Sequence, residues 1–233
     1  MNPTAAQRTA AWGVHFYTAL GLPLAGLAMM ALHWGDARLF FLAQIASTLV
    51  DATDGTMARR VHVKDVLPSF NGAKLDDLVD FLNFSFLPAA GMAMLGVFPT
   101  GWELLAALPL MASGYGFCQD RAKTDDAFVG FPSYWNVLLL YFVACKTAPW
   151  AAAASTVLLS ALVFVPLYYV YPSRTKLWMP VTVATGLVWT AMMLAVALHL
   201  DAAWARPVAI ASLAYPLYYS VLSMVHHRKV AAS

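Results

Sequence analysis

Apolar runs long enough to cross a lipid bilayer recur from one end of this chain to the other and leave little room for anything else. A helix needs about 20 residues to span the hydrocarbon layer. Eight runs approach or exceed that length, roughly 11–33, 37–58, 72–98, 101–119, 131–147, 149–171, 176–199 and 203–226. In hydrocarbon every backbone N–H and C=O needs a partner inside the protein, so such runs fold as helices. The pattern predicts an all-α polytopic membrane bundle of about eight helices, with residues 1–233 forming one transmembrane domain. Composition agrees: 11% of the residues are charged and 61% are hydrophobic, where soluble domains carry about 25% charged residues. Pro88, Pro109, Pro166, Pro180 and Pro216 lie inside the runs, where each is able to kink or split a helix.

The first run is long and follows a short polar N-terminus with a single charge, Arg8, which reads as a retained span rather than a cleaved leader. Cys118 and Cys145 fall near opposite ends of neighbouring runs, so no disulfide is expected, and two cysteines make no metal pattern. A net charge of +2 with no basic face gives no reason to expect a nucleic acid partner. If the loop after the second run is cytoplasmic, alternate loops hold 11 of the 14 Lys and Arg residues, leaving Arg38, Lys146 and Arg206 opposite. The positive-inside rule then puts both termini on the cytoplasmic side.

Charges at membrane depth need a reason, and the second and third runs carry several. Asp51 and Asp54 are three residues apart, and Asp76 and Asp80 are four apart. Each pair projects from one side of a helix, with Gly55 and Ala58 leaving the first helix unobstructed on that side. Two helices joined by a short connection are then able to face four carboxylates at each other. Such a cluster repels itself unless it shifts its protonation or binds cations. Carboxylate oxygens select hard ions, Mg²⁺ above all with Mn²⁺ or Ca²⁺ as alternatives, and the missing His and Cys pairs argue against zinc. Two ions shared by four carboxylates beside Arg59 suit a pyrophosphate-linked substrate and phosphoryl transfer. Lys64, Asp65 and Lys74 sit in or beside the connection, where a solvated charge accounts for them.

The same residues carry a resemblance. Asp51-x2-Asp54-Gly55-x2-Ala58-Arg59 followed by Gly72-x3-Asp76-x3-Asp80 is similar to the signature of the CDP-alcohol phosphotransferases, integral membrane enzymes acting on CDP-linked donors. The departure is spacing, since 12 residues, Arg60 to Asn71, separate Arg59 from Gly72, where most of that family has fewer. A longer gap is a feature of its bacterial phosphatidylcholine synthase subgroup. The stretches VKDVLPSFNGAKLDDLVDF, FCQDRAKTDDAFVGFPSYWN and VPLYYVYPSRT also resemble that subgroup. The resemblance implies transfer of a phosphatidyl group from CDP-diacylglycerol to choline with release of CMP, at a bacterial inner membrane, by a protein that forms homodimers. It assigns Asp51, Asp54, Asp76 and Asp80 to two Mg²⁺ or Mn²⁺ ions, and Asp80 also to the general base. Asp54, Gly55, Ala58, Arg59 and Gly72 would take the CDP group. Spacing alone leaves Asp76 and Asp77 equivalent relative to Asp80; the family pattern selects Asp76.

Choline is a quaternary ammonium, held by electrostatics and aromatic faces. Tyr115, Tyr134, Trp135, Tyr168, Tyr169 and Tyr171 are the aromatic candidates nearest the cytoplasmic side, with Tyr134, Trp135 and Tyr169 preferred. Asp120, Asp125 and Asp126 read as solvated loop acids, and Arg121, Lys123, Arg174 and Lys176 as a basic rim that either holds the lipid phosphates of the donor or fixes topology and meets anionic lipids. His15 reads as a hydrogen-bonded core group. Three rivals share some features: a related enzyme with serine or inositol as acceptor, a prenyltransferase reading Asp76-Asp77-Leu78-Val79-Asp80 as its acidic box, and a transporter using the acids as a relay.

Overall fold

The computed structural model describes residues 3–119, 127–172 and 175–231. The chain divides into two compact units, residues 1–87 and 88–233.

In the first unit, polar side chains mark where helices begin. Helix α1 (Ala5–Ala19) opens on a reciprocal cap in which Thr4 Oγ1 accepts from the Gln7 N–H at 3.3 Å and Gln7 Oε1 accepts from the Thr4 N–H at 2.8 Å. Helix α2 (Gly21–His33) follows after Leu20. Helix α3 (Ala37–Val61) is capped by Asp36, whose carboxylate accepts from the Leu39 N–H at 2.8 Å. The buried face of α2 consists of Gly21, Ala25, Ala28, Ala31 and Leu32. Small residues at this spacing let α2 lie close against α3, the packing that membrane helices use where lipid removes the hydrophobic drive between them.

The long connection between Arg59 and Gly72 is a built element. His62, in the left-handed region at φ 54°, ends α3, and a short helix α4 (Val63–Val66) follows. Val63, Val66 and Leu67 bury against Ala11 and Val14 of α1. Phe70 packs its ring on Trp12 and His15, with centroids 5.1 and 4.5 Å away. Helix α5 (Gly72–Asp80) then starts on Asn71, whose side chain accepts from the Lys74 N–H at 3.0 Å. Beyond Asp80 the backbone widens into a π-helical turn, Phe81–Phe86, before α6 (Leu87–Met94).

The second unit takes in α6 from Pro88 onward, and a 3₁₀ turn (Glu103–Ala106) then leads into α7 (Ala107–Phe117). Next come strand β1 (Ala127–Val129), α8 (Trp135–Ala144), α9 (Pro149–Val163) and strand β2 (Tyr168–Val170). Helices α10 (Met179–Leu198), α11 (Ala205–Ser212) and α12 (Ala214–Ala231) complete it. The strands pair antiparallel, with Ala127 opposite Val170, Phe128 opposite Tyr169 and Val129 opposite Tyr168. Sequence patterning predicts helix through residue 171. The helix stops at Val163 because Pro166 cannot continue its hydrogen bonding, and Tyr168, Tyr169 and Val170 are strand-favouring residues.

The fold is that of an all-α membrane protein, with the strand pair as its departure among the described residues. Three helical stretches there are long and apolar enough to cross a membrane: Ala5–His33, Met179–Leu198 and Ala205–Val230. Trp135–Ala144 and Pro149–Val163 are shorter apolar helices. Helix α10 shows the inside-out pattern that lipid imposes: Leu187 is 68% exposed, whereas Thr182 is fully buried. The Thr182 hydroxyl lies 2.9 Å from the Tyr218 hydroxyl.

Candidate active site

Helices α3 and α5 bring three of the predicted carboxylates together. Asp51, Asp76 and Asp80 each offer an oxygen within 4.8 Å of the others. Asp80 is buried, while Asp51 and Asp76 keep access to solvent. Three carboxylates this close, with one of them withdrawn from water, make a donor set that fits a hard divalent cation. Asp54 lies outside this group of three and is 4% exposed. The neighbouring Asp77 is exposed and is likewise not among the three.

Close contacts hold the two helices at this distance. The ring of His15 covers Gly72: a Cβ at that position would overlap His15 Cε1 and stand 2.9 Å from Nδ1. Glycine is the residue that lets α5 begin this close to α1. His15 is buried, its Nε2 meets no hydrogen-bond partner among the described residues, and its ring packs against Gly72 and Phe70. On the far side of α5, the fully buried Asn83 donates through Nδ2 to the carbonyls of Gly21 and Val79, both at 3.0 Å. That side chain ties the π turn after Asp80 to the junction of α1 and α2. A π turn beside a cluster of acids is a common companion of functional sites. Tyr17 joins α1 to α3, its hydroxyl 2.8 Å from Thr53 Oγ1, one residue before Asp54.

The remaining predicted residues of this region lie along α3 and at the start of α5. Arg59 is exposed and folds back along its helix, donating from Nη2 to Thr56 Oγ1 at 2.9 Å. Its Nη1 would be 3.3 Å from a Cβ at Gly55, so the glycine makes room for the guanidinium. Ala58 is half-buried and packs with the cluster around α4.

In the second unit the aromatic candidates separate. Trp135 is fully buried, and its Nε1 donates to Ser113 Oγ at 2.8 Å, which in turn donates to Ser133 Oγ at 3.1 Å. Tyr134 and Tyr169 are half-buried beside Val170, Tyr219 and Leu222. Tyr168, on the opposite face of its strand, stacks on His227, Tyr171 stacks on Phe128, and Tyr115 lies against Phe164. Tyr219 was not among the residues singled out from the sequence; its signal is the spacing of Tyr215, Tyr218 and Tyr219 along one helix. Cys118 and Cys145 are free. Lys176 is exposed. Asp120, Arg121, Lys123, Asp125, Asp126 and Arg174 lie outside the described residues.

Fold and site together define a helical membrane protein with a carboxylate cluster suited to divalent cations. No model of a protein family matches the chain. It is similar to the phosphatidylcholine synthase of Pseudomonas aeruginosa, 38% identical over 191 residues that cover 81% of this chain and 80% of that protein. The phosphatidylcholine synthase of Legionella pneumophila is 38% identical over 185 residues, 75% of this chain and 71% of the relative. That of Rhizobium meliloti is 32% identical over 195 residues, 82% of this chain and 80% of the relative. The chain belongs to the bacterial phosphatidylcholine synthases.

Proposed function

We propose that this chain transfers the phosphatidyl group of CDP-diacylglycerol to the hydroxyl of choline and releases CMP, acting as a single catalytic domain. The approach of Asp51, Asp76 and Asp80 to within 4.8 Å is the observation that carries the reading. These three, with Asp54, would hold Mg²⁺ or Mn²⁺, two ions in all, as in the resemblance set out above. Bound there, the metal supplies positive charge against the pyrophosphate of the donor.

The rest of the chemistry falls to side chains. Arg59 has the planar fork of donors that suits a phosphate, and its exposure leaves it able to swing from Thr56 to a ligand. Asp54, Gly55, Ala58 and Gly72 complete the surface for CDP. Asp80 takes the proton of the choline hydroxyl as its oxygen bonds to the phosphatidyl phosphorus and the bond to CMP breaks. The place of the buried Asp80 within the carboxylate group supports that role. Aromatic faces in the second unit recognise the quaternary ammonium, Tyr134 and Tyr169 among them. Trp135 is a third candidate for that role from the sequence, and its burial and bonded indole favour a supporting part. The basic residues of alternate loops support a cytoplasmic active site and cytoplasmic termini in a bacterial inner membrane.

The test uses the purified full chain in detergent with Mg²⁺ or Mn²⁺. CMP is expected from CDP-diacylglycerol when choline is added and not without it, and a chelator is expected to stop the reaction. Release driven by serine or inositol overturns the acceptor, and turnover of a prenyl diphosphate overturns the donor. Asp80→Asn is expected to abolish turnover while CDP-diacylglycerol still binds; full activity in that variant removes Asp80 as the base.

A further inference from the structure

Four aromatic rings from three separate parts of the second unit close into a ring of their own. Phe131 lies 6.4 Å from Tyr134 at 81° and 6.3 Å from Tyr169 at 80°. Tyr219 lies 6.1 Å from Tyr134 at 67° and 6.4 Å from Tyr169 at 18°. A closed figure with four sides of this length keeps its centre, on average, no more than about 4.5 Å from the ring centroids, inside the ~6 Å reach of a cation–π contact. Phe131 stands nearly perpendicular to both of its neighbours, while Tyr169 and Tyr219 lie nearly parallel.

Local structure explains why these four rings meet. The Gly130 N–H donates to the Leu167 carbonyl at 2.9 Å, and the Phe131 N–H to the Leu162 carbonyl at 3.2 Å, which ties the segment after β1 to the segment before β2. Alternation along β2 sends Tyr169 to the side opposite Tyr168. The Tyr219 hydroxyl donates to the Val170 carbonyl at 2.9 Å, fixing α12 against that strand. Tyr219 is 8% exposed, whereas Phe131, Tyr134 and Tyr169 are half-buried, so exposure is graded across the four rings. Behind it, Trp135 presses on Phe131 with centroids 5.2 Å apart at 66°.

We propose that Phe131, Tyr134, Tyr169 and Tyr219 form a binding box for a quaternary ammonium, with Trp135 as the buttress behind Phe131. The identity of the cation as choline rests on the function proposed above; the box itself rests on the ring geometry. A trimethylammonium group suits it because such a group has no N–H to donate and no proton to lose, so ring faces are the partners open to it.

Two measurements on the full chain in detergent decide it: the choline KM at saturating CDP-diacylglycerol, and calorimetric binding of tetramethylammonium. Tyr134→Leu and Tyr169→Leu are each expected to raise the choline KM about tenfold and to weaken tetramethylammonium to a similar degree, while Tyr134→Phe and Tyr169→Phe stay within about threefold of the parent. On the unmodified protein, 3,3-dimethylbutan-1-ol, the neutral isostere of choline, is expected to compete far more weakly than tetramethylammonium. This contrast decides the matter even where a leucine variant does not fold. Phosphatidylcholine formation with an unchanged choline KM in folded leucine variants sinks the box and leaves the reaction standing. So does an isostere that competes as well as the cation. Tetramethylammonium binding that the leucine variants lose, with CMP release that never depends on choline, upholds the box and overturns the reaction.

Discussion

In residues 1–87 the distinctive side chains are carboxylates, and in residues 88–233 they are aromatic rings and hydroxyls. The first unit fixes its acids by backbone placement. Caps start the helices, a glycine lets α5 begin beneath His15, and Asn83 pins the π turn with two hydrogen bonds. The second unit fixes its rings by side chain on side chain, with Trp135 tied to Ser113 and Tyr219 tied to Val170. The contrast follows from what each kind of group has to do. Like charges repel, so carboxylates stay within 4.8 Å of each other only where rigid helices hold them there. Rings attract one another through their faces and edges and need only be delivered to the same neighbourhood.

This contrast predicts unequal penalties. The largest is expected within α5: Asp76→Asn should lower turnover by about 10³-fold through loss of one member of the carboxylate group, while Asp77→Asn should leave it within about threefold. Steady-state CMP release measures both, and equal losses would dissolve the distinction between the two neighbours. Next comes Gly72→Ala, whose added Cβ meets the His15 ring and is expected to cost about 1–3 kcal/mol of stability. Thermal unfolding in detergent reads that loss, and adding His15→Ala should recover part of it, since the two side chains share one space. The smallest is Trp135→Phe in the second unit. It leaves Ser113 without its indole donor and is expected to cost about 1–2 kcal/mol with the choline KM raised only a few-fold. A loss of turnover as large as that of Asp76→Asn would show that the rings need backbone-level precision after all.

Much of the fold was legible because lipid permits so few alternatives. The described part of each of the eight apolar runs contains helix, and the weakest by hydropathy, carrying Asp51 and Asp54, is one helix of 25 residues. The acidic cluster was legible from spacing of three and four, and three of its four residues offer oxygens within 4.8 Å of one another. A three-residue step on a helix turns the side chain about 60° away and shifts it about 4.5 Å along the axis. A four-residue step keeps Asp80 more nearly above Asp76, and both join Asp51. The strand pair was hidden because its partners lie about 40 residues apart and each strand has three residues. The ring of aromatics was hidden for the same reason: Phe131 lies three residues from Tyr134, but Tyr169 and Tyr219 join that pair through the tertiary fold alone.

Helix α1 contributes no acid to the cluster, yet the connection carrying α4 and the start of α5 both rest on it. Synthesis runs from the N-terminus, so this surface is made before any of the carboxylates it will support. The order of manufacture thus matches the order of dependence: the supporting surface comes first, and the acids that rest on it follow. A chain shortened by its first helix would keep every acid and lose the mould that gathers them.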